Sequence, residues 1–267
     1  MIGLAYPDIS PIIFSIGPIA IRWYSMAYLV GIVSAWFLVS KNIKKYNLPI
    51  SKENLEDLVF YVTMGIVLGG RIGYVLFYGT DTFLKNPLEI FAIWHGGMSF
   101  HGGILGVIVA VYLCSKKIKY PFLSLTDLVA LYTPIGIFLG RLANFANDEL
   151  WGRITNVPWA IRFPNGGYLP RHPSQIYEAL SEGVLMFIAL NLLWRIPFVR
   201  QNKGIVSGAF LLLYSLFRSI MEQFREPDAQ IGFIYQSITM GQLLSFPLIG
   251  LGIYLIVRTF KKQKSAN

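Results

Sequence analysis

The sequence predicts an all-α integral membrane protein of about seven transmembrane helices with a small extracytoplasmic head. Hydrophobic residues make up 54% of the 267 residues and charged residues 14%, against about 25% charged residues in a typical soluble domain. Apolar stretches of about 20 residues, the length that a helix needs to cross a bilayer, recur along the chain. Basic residues cluster between those stretches, which is typical of membrane topology signals.

Seven apolar stretches qualify as spans, and we place them at residues 18–40, 57–79, 97–115, 122–146, 175–194, 204–223 and 238–258. The longest polar stretch, 147–174, is rich in Gly, Pro, Asn and Trp. It is too short for a separate domain. We therefore expect one transmembrane domain over 1–267, with a loop-built head at 147–174.

The distribution of basic residues predicts the orientation. Fourteen of the 23 Lys and Arg residues fall in the loops 41–56, 116–121 and 195–203 and in the tail after 257. Only five lie on the opposite side. Since positive loops stay in the cytoplasm, we expect the N-terminus outside, the C-terminus in the cytoplasm, and a multi-pass protein in the membrane.

Charge and cysteine content exclude other classes of protein. The net charge of +9 follows the topology pattern, so we expect no nucleic-acid partner. A single cysteine, Cys114, excludes an internal disulfide. No Cys/His cluster has metal-ligand spacing and no Gly-Lys-Ser/Thr phosphate loop is present, so we expect neither a metal nor another cofactor. The first ten residues lack a basic signal-peptide region, so we expect the first apolar segment to remain in the mature protein.

Several polar residues fall in or near the spans, where each charge costs about 2.5–3.5 kcal/mol on insertion scales and is by default a functional hypothesis. The structural alternative is local neutralisation, as in Arg218 and Glu222, which lie one helical turn apart. The set comprises Arg71, Asp127, Arg141, Glu178, Glu182, Arg218 and Glu222, with His101 and Asn144.

The three arginines of this set, Arg71, Arg141 and Arg218, fall towards the outer half of their spans. The guanidinium group matches phosphate oxygens and stays charged at any relevant pH. Their convergence would suit the headgroup of an anionic phospholipid. The alternative is helix packing with backbone carbonyls as partners.

Further residues are candidates for chemistry or for binding. Glycines flank His101 in residues 96–103; they permit close approach of a helix or a ligand, and the imidazole can exchange a proton near neutral pH. On a helix, Arg141 and Asn144 share a face. In residues 171–178, His172 has either a structural role in the head or a role in contact with the substrate. Ser174 is a plausible helix cap. Residue type alone favours Tyr24 as an interfacial anchor.

Four motifs resemble the bacterial phosphatidylglycerol–prolipoprotein diacylglyceryl transferases: GGMSFHGG (96–103), GRLANFANDELWGR (140–153), RHPSQIYE (171–178) and FREPDAQ (224–230). The similarity runs along essentially the whole chain, and the second motif is the most specific. Ala143 and Asp148 stand where the family motif has glycine.

The resemblance implies an enzyme of the bacterial inner membrane that needs no cofactor. It would transfer the diacylglyceryl group of phosphatidylglycerol to the thiol of the lipobox cysteine in a prolipoprotein signal peptide, forming a thioether and releasing glycerol phosphate. The catalytic positions of the family correspond to His101, Arg141, Arg218 and Tyr24. The resemblance and the arginine pattern together imply a set of positions that bind phosphatidylglycerol. These positions are Arg141, Arg218, Arg71, Asn144, Gly152, Glu149, Glu222 and Arg225.

Other classes of protein fit less well. A secondary transporter also places Arg, His and Glu at mid-membrane, but favours broken helices at matching positions of two halves. A structural or assembly protein needs no converging polar set. A different phospholipid-headgroup transferase shares the arginine clamp and would use water, not a peptide thiol, as the acceptor.

The topology has a direct test. A cysteine introduced at Asn165, within the head, is expected to react with a membrane-impermeant maleimide added from outside. Labelling only after the membrane has been permeabilised, so that the reagent reaches the cytoplasmic side, would contradict the predicted orientation.

Overall fold

The computed structural model describes residues 3–17, 19–78, 86–92, 96–227, 233–235 and 238–264. Eight helices within these ranges are named here in chain order. They are α1 (Trp23–Tyr46), α2 (Lys52–Tyr78), α3 (Phe100–Lys117), α4 (Phe122–Ala146), α5 (Ser174–Trp194), the short α6 (Pro197–Gln201), α7 (Ile205–Met221) and α8 (Met240–Lys264). A 3-10 turn covers Pro87–Phe91.

Six of these helices are long and apolar enough to cross a membrane: α1, α2, α3, α4, α5 and α8. The protein is therefore a multi-pass membrane protein. The remaining predicted span corresponds to α7, which has 17 residues. At a rise of 1.5 Å per residue it is about 26 Å long, slightly less than the hydrocarbon core of about 30 Å. Seven spans and the orientation of the termini stay predictions.

Short strands accompany the helices, so the described chain is not purely α-helical. β1 (Leu4–Ala5) pairs in parallel with β4 (Ile161–Arg162), which pairs antiparallel with β5 (Pro170–Arg171). β2 (Ile12–Ile16) and β3 (Ile19–Arg22) form a hairpin, as do β6 (Phe233–Tyr235) and β7 (Ile238–Thr239). The head was expected to consist of loops. Backbone groups outside a helix need partners, and these strand pairs supply them.

The head is attached to the end of α4. The Tyr6 hydroxyl donates to the carbonyls of Phe145 at 2.8 Å and Ala146 at 3.1 Å, two of the carbonyls that the end of a helix leaves without partners. The Tyr6 ring also packs against Phe163, which is fully buried. Tyr6, in the N-terminal segment, therefore contacts both the last turn of α4 and the head.

The observed helix starts differ from the predicted ones for local reasons. Residues 19–22 belong to β3, so α1 begins at Trp23 and not at residue 18. Residues 96 and 97 are glycines with φ of 84° and 82°, a conformation incompatible with a helix, so α3 begins only at Phe100. Ser99 caps α3 by accepting from the Gly102 N–H at 3.2 Å.

The chain forms two compact units. The first unit comprises Met1–Ala35 and Asp127–Asn267, and the second unit comprises Trp36–Thr126. Each has its own helix packing. The expectation of one transmembrane domain over 1–267 stays a prediction.

In the second unit, α2 packs closely on α3 through glycines spaced four residues apart. A Cβ on Gly65 would lie 2.7 Å from the Gly106 carbonyl oxygen, and a Cβ on Gly73 would lie 2.7 Å from the Gly102 Cα. Gly69 lies between them against Gly102 and Gly106. Small residues at this spacing let membrane helices approach until their backbones touch. The glycines beside His101 therefore serve contact between helices.

This packing predicts a position-specific effect of a single methyl group. Gly65→Ala is expected to lower the free energy of unfolding by about 1–3 kcal/mol, because the new Cβ overlaps a backbone oxygen. Gly250→Ala is the matched control, since nothing lies within 4 Å of a Cβ there. Thermal unfolding in detergent measures both. Equal unfolding midpoints for the two variants would contradict the packing.

Candidate active site

Two arginines from different helices of the first unit share one buried carboxylate. The Nε of Arg141, late in α4, lies 2.9 Å from Glu178 Oε2 on α5. The Nη1 of Arg218, late in α7, lies 3.6 Å from Glu178 Oε1. Because Glu178 is 1% exposed, water screens these pairs little. Glu178 thus sets the spacing between the two guanidinium groups.

Each of the two arginines also has a carboxylate of its own. Glu182 Oε2 lies 3.1 Å from Arg141 Nη2, and Glu222 pairs with Arg218 one helical turn away on α7. The second pair confirms the local neutralisation considered from the sequence. Glu182 is fully buried. An isolated charge at such a position would be costly, and the pairing compensates much of that cost.

The shape of α5 brings its carboxylates to this place. Residues Ala179–Leu185 form a π-helical segment, a feature often found at functional sites. Gly183 lies in this segment, and a Cβ on it would lie 2.6 Å from the Phe138 Cβ of α4. The absence of a side chain at this position lets α5 approach α4, so that Glu182 reaches Arg141.

Arg225 brings a third positive charge to the cluster, with its Nη1 3.4 Å from Glu178 Oε1. Three arginines then face three carboxylates, and their formal charges balance. Two guanidinium groups still have donors to offer, because neither Arg141 Nη1 nor Arg218 Nη1 makes a hydrogen bond with any residue in the described part of the chain. The Arg141 side chain is 17% exposed.

A second polar group adjoins the cluster along α4. The Tyr24 hydroxyl, at the start of α1, donates to Glu149 Oε1 at 2.5 Å. Asn144 Nδ2 donates to the same oxygen at 3.0 Å and also to the Tyr24 hydroxyl. Asn144 follows Arg141 by three residues, so the two share a helix face, as the sequence predicted.

Gly152 links three segments of the first unit through its backbone. Its N–H donates to the His172 carbonyl at 2.9 Å, and it forms an isolated bridge with Arg225. A Cβ on Gly152 would lie 2.5 Å from the Phe224 oxygen, so only glycine fits without movement of the backbone. The geometry gives Gly152 a packing role, and its contact with a phospholipid stays a prediction.

The Arg218–Glu222 pair is covered by the first turn of α8. A Cβ on Gly241 would lie 2.5 Å from Glu222 Oε1 and 3.0 Å from Arg218 Nε. The absence of a side chain at Gly241 therefore leaves space for the ion pair.

The other two predicted residues belong to the second unit. His101 is the second residue of α3 and is exposed, with its ring beside Phe100. Arg71 is 5% exposed and donates to backbone carbonyls, which is the packing alternative considered from the sequence. Its acceptors are the carbonyls of Glu89, Ile90, Ala92, Gly96 and Gly97.

In the head, His172 packs between the rings of Tyr177 and Phe224, and its Nδ1 lies 3.2 Å from the Tyr177 hydroxyl. Burial lowers the His172 pKa below its ordinary value, which favours the neutral form of the ring. The expected cap at Ser174 is wrong: its hydroxyl donates to the Leu150 carbonyl at 3.0 Å and makes no cap bond.

Asp148 stands where the family motif has glycine, and it has the positive φ of 52° that glycine adopts easily. Its Oδ2 accepts from the Asn165 N–H at 2.6 Å. Burial raises the Asp148 pKa. The hydrogen bond to Asn165 joins two segments of the head.

From the sequence, Glu178 and Glu182 are charges in a predicted span without a predicted role in the site. Gly241 also has no predicted role. The signal available for the two glutamates was their spacing of four in an apolar helix, which places both on one face. Which cations they face depends on how the helices pack.

Comparison with known proteins identifies the family. Residues 11–258 match the model of the prolipoprotein diacylglyceryl transferase family. A phosphatidylglycerol–prolipoprotein diacylglyceryl transferase of Rickettsia felis is 52% identical over 97% of this chain and 100% of its own length. Proteins of the same name from Rickettsia bellii and Rickettsia akari are 52% and 51% identical, over 96% and 97% of this chain and 97% and 100% of their own lengths. The chain therefore belongs to the prolipoprotein diacylglyceryl transferase family.

Proposed function

We propose that the protein transfers the diacylglyceryl group of phosphatidylglycerol to the thiol of the lipobox cysteine of a prolipoprotein, as the names of its relatives indicate for those proteins. The cysteine sulfur forms a thioether with a glycerol carbon. The bond between that carbon and the phosphate oxygen breaks, and glycerol phosphate leaves with the electron pair. The reaction takes place in the bacterial inner membrane, with the head on the outer side.

The single observation that carries the proposal is the attachment of Arg141 and Arg218 to one carboxylate of Glu178. It holds two guanidinium groups near each other before any lipid binds. The leaving phosphate gains negative charge in the transition state, so positive groups already in place stabilise it more than the ground state. The Nη1 of Arg141 is the donor with which the lipid phosphate bonds first.

The balancing carboxylates have a role in this scheme. Glu178, Glu182 and Glu222 hold the guanidinium groups in a fixed orientation without using every donor. Such preorganisation avoids reorganisation at the moment of reaction. Arg225, which also contacts Glu178, adds positive charge at the edge of the cluster.

The hydroxyl groups of the phosphatidylglycerol headgroup require hydrogen-bond partners. Tyr24, Asn144 and Glu149 offer a phenol, an amide and a carboxylate that already bond to one another. Together they hold the glycerol while the arginines hold the phosphate. Their hydrogen bonds to one another keep each group oriented for the substrate.

The nucleophile comes from the peptide substrate. An unperturbed thiol has a pKa of about 8.5 and reacts as the thiolate, so a base speeds the attack. His101 is the base: it takes the thiol proton as sulfur approaches the glycerol carbon. Its exposure at the start of α3 leaves the ring accessible to a peptide.

The direct test uses purified protein, phosphatidylglycerol and a lipobox peptide, with the peptide mass measured afterwards. A gain of one diacylglyceryl group, absent when the peptide cysteine is replaced by serine, would establish the reaction and its nucleophile. No gain with folded, lipid-bound protein would refute the proposal.

Substitution of the proposed clamp or base is expected to slow transfer strongly. Arg141→Lys keeps a positive charge opposite Glu178 and Glu182 but loses the planar fork. We expect kcat to fall about 10²-fold or more, the loss typical of one missing charge-stabilising donor. His101→Gln is expected to be equally inactive while the protein accumulates normally. The same peptide-mass assay measures both.

Cys114→Ala is the control for those variants, because Cys114 is buried in α3 and takes no part in the scheme. Its rate is expected to match that of the unaltered protein. A large loss in this control would indicate a covalent intermediate on the enzyme, and near-normal activity of Arg141→Lys would refute the clamp.

The contact between α8 and the ion pair gives a separate prediction. Gly241→Ala places a methyl group against Glu222 and Arg218 and is expected to lower kcat/KM by about tenfold or more through a shift of the guanidinium group. Gly250→Ala, in the same helix with open space around its Cβ, is expected to retain full activity. Equal activity of the two variants would argue against a role for Arg218.

A further inference from the structure

We propose that Arg71 is a positioning residue that fixes the backbone leading to His101, and that it is not a ligand of the lipid phosphate. The proposal rests on the proposed function, in which His101 is the base. It replaces the phosphate-binding role that the sequence suggested for Arg71 with a role in the second unit, Trp36–Thr126, to which Arg71 and its carbonyl acceptors belong.

Backbone carbonyls surround the guanidinium group of Arg71. Nε donates to the Ile90 carbonyl at 2.9 Å, and Nη2 donates to the carbonyls of Glu89 and Ala92. Nη1 donates to the carbonyls of Gly96 and Gly97. A guanidinium group has five N–H donors in a rigid fork, and here five backbone oxygens receive hydrogen bonds. A phosphate would have to displace one of these carbonyls to bind.

The backbone that presents two of those carbonyls has a conformation that favours glycine. Gly96 and Gly97 have φ of 84° and 82°, a conformation that side chains rarely tolerate. A Cβ on Gly97 would also overlap the Tyr74 ring, and the Arg71 guanidinium carbon lies 6.0 Å from that ring's centre. The two glycines allow both successive carbonyls to reach one nitrogen of Arg71.

A backbone hydrogen bond links α2 directly to the residue before α3. The Ser99 N–H donates to the carbonyl of Gly70, the residue before Arg71, at 2.8 Å. Ser99 in turn accepts from the Gly102 N–H, so it fixes the first turn of α3. His101 lies in that turn. Adjacent residues of α2 therefore hold the chain on both sides of Met98, and the position of the imidazole follows from them.

The arrangement has a chemical consequence. A base must lie within hydrogen-bond reach of the proton that it removes, and a displacement of about 1 Å costs about 10²-fold in rate. Lysine cannot replace Arg71, because an ammonium group has three donors in a different geometry. Loss of the fork should therefore slow the chemical step without weakening lipid binding.

The test compares Arg71→Lys, Arg71→Ala and Gly97→Ala in the purified full-length protein. Gly97→Ala disturbs the same backbone while leaving Arg71 intact. Gly167→Ala is the matched control, since it has the same φ of 82° and nothing within 4 Å of its Cβ. Hydrogen exchange of peptides covering 96–103 reads the backbone, and the peptide-mass assay gives kcat and the KM for phosphatidylglycerol.

For Arg71→Lys and Gly97→Ala we expect exchange at Ser99, Gly102 and Gly103 to rise on the order of tenfold, as local opening becomes easier. We also expect kcat to fall about 10²-fold with KM nearly unchanged. Millimolar guanidinium ion is expected to restore part of kcat to Arg71→Ala, where the carbonyls remain, and none to Gly97→Ala. A merely structural defect would not show this selective rescue.

Other results would overturn the proposal. Unchanged hydrogen exchange in Arg71→Lys would refute the backbone role. A rise in KM with unchanged kcat, together with normal kinetics of Gly97→Ala, would make Arg71 a phosphate ligand. If Arg71→Ala does not accumulate, the exchange and kinetic comparison of Arg71→Lys with Gly97→Ala decides between the two roles. Absence of transfer by the unaltered protein would refute the proposed function alone, because the exchange measurement tests the backbone role without the reaction.

Discussion

The packing of the helices in the first unit depends on ion pairs between charged side chains that are buried away from water. Glu178 and Glu182 are almost fully buried on a helix that qualifies as a membrane span, and each requires a cation nearby. Arg141 and Arg218 meet that requirement from two other helices. The same ion pairs that make the carboxylates tolerable therefore fix the relative positions of α4, α5 and α7. Removing one partner would leave a buried charge uncompensated, which typically costs 3–5 kcal/mol.

Backbone contacts continue this constraint into the head. Gly152 bonds to His172 and bridges to Arg225, so the chain after α4, the chain before α5 and the chain after α7 meet at one residue. Gly183 and Gly241 have the same effect inside the helices, because each leaves room that a neighbouring group fills. Side chains that act on a substrate must be held within about 0.5 Å. Positions where only glycine fits are one way in which this chain achieves such precision.

Arginine serves two different purposes in the described chain. In the first unit, Arg141 pairs with the carboxylates of Glu178 and Glu182. In the second unit, Arg71 donates to backbone carbonyls that the turns of residues 96 and 97 direct towards it. Both arrangements satisfy a buried guanidinium group, since charge pairing and multiple hydrogen bonds each offset desolvation. The surroundings of the arginine, and not its presence in a span, indicate which role it has.

The sequence by itself determined that the protein crosses the membrane several times, because length and hydropathy are local properties. It also determined which residues carry the family motifs, and the shared helix face of Arg141 and Asn144, which follows from helical periodicity. Only the tertiary structure decided that Glu178 joins Arg141 to Arg218 and that Arg71 contacts carbonyls. These partners lie tens of residues apart or on loop backbone, and no periodic pattern records such pairs. The start of α3 likewise depended on two positive φ angles that hydropathy does not report. Long-range packing between helices, which sequence spacing does not encode, made the final arrangement of the site.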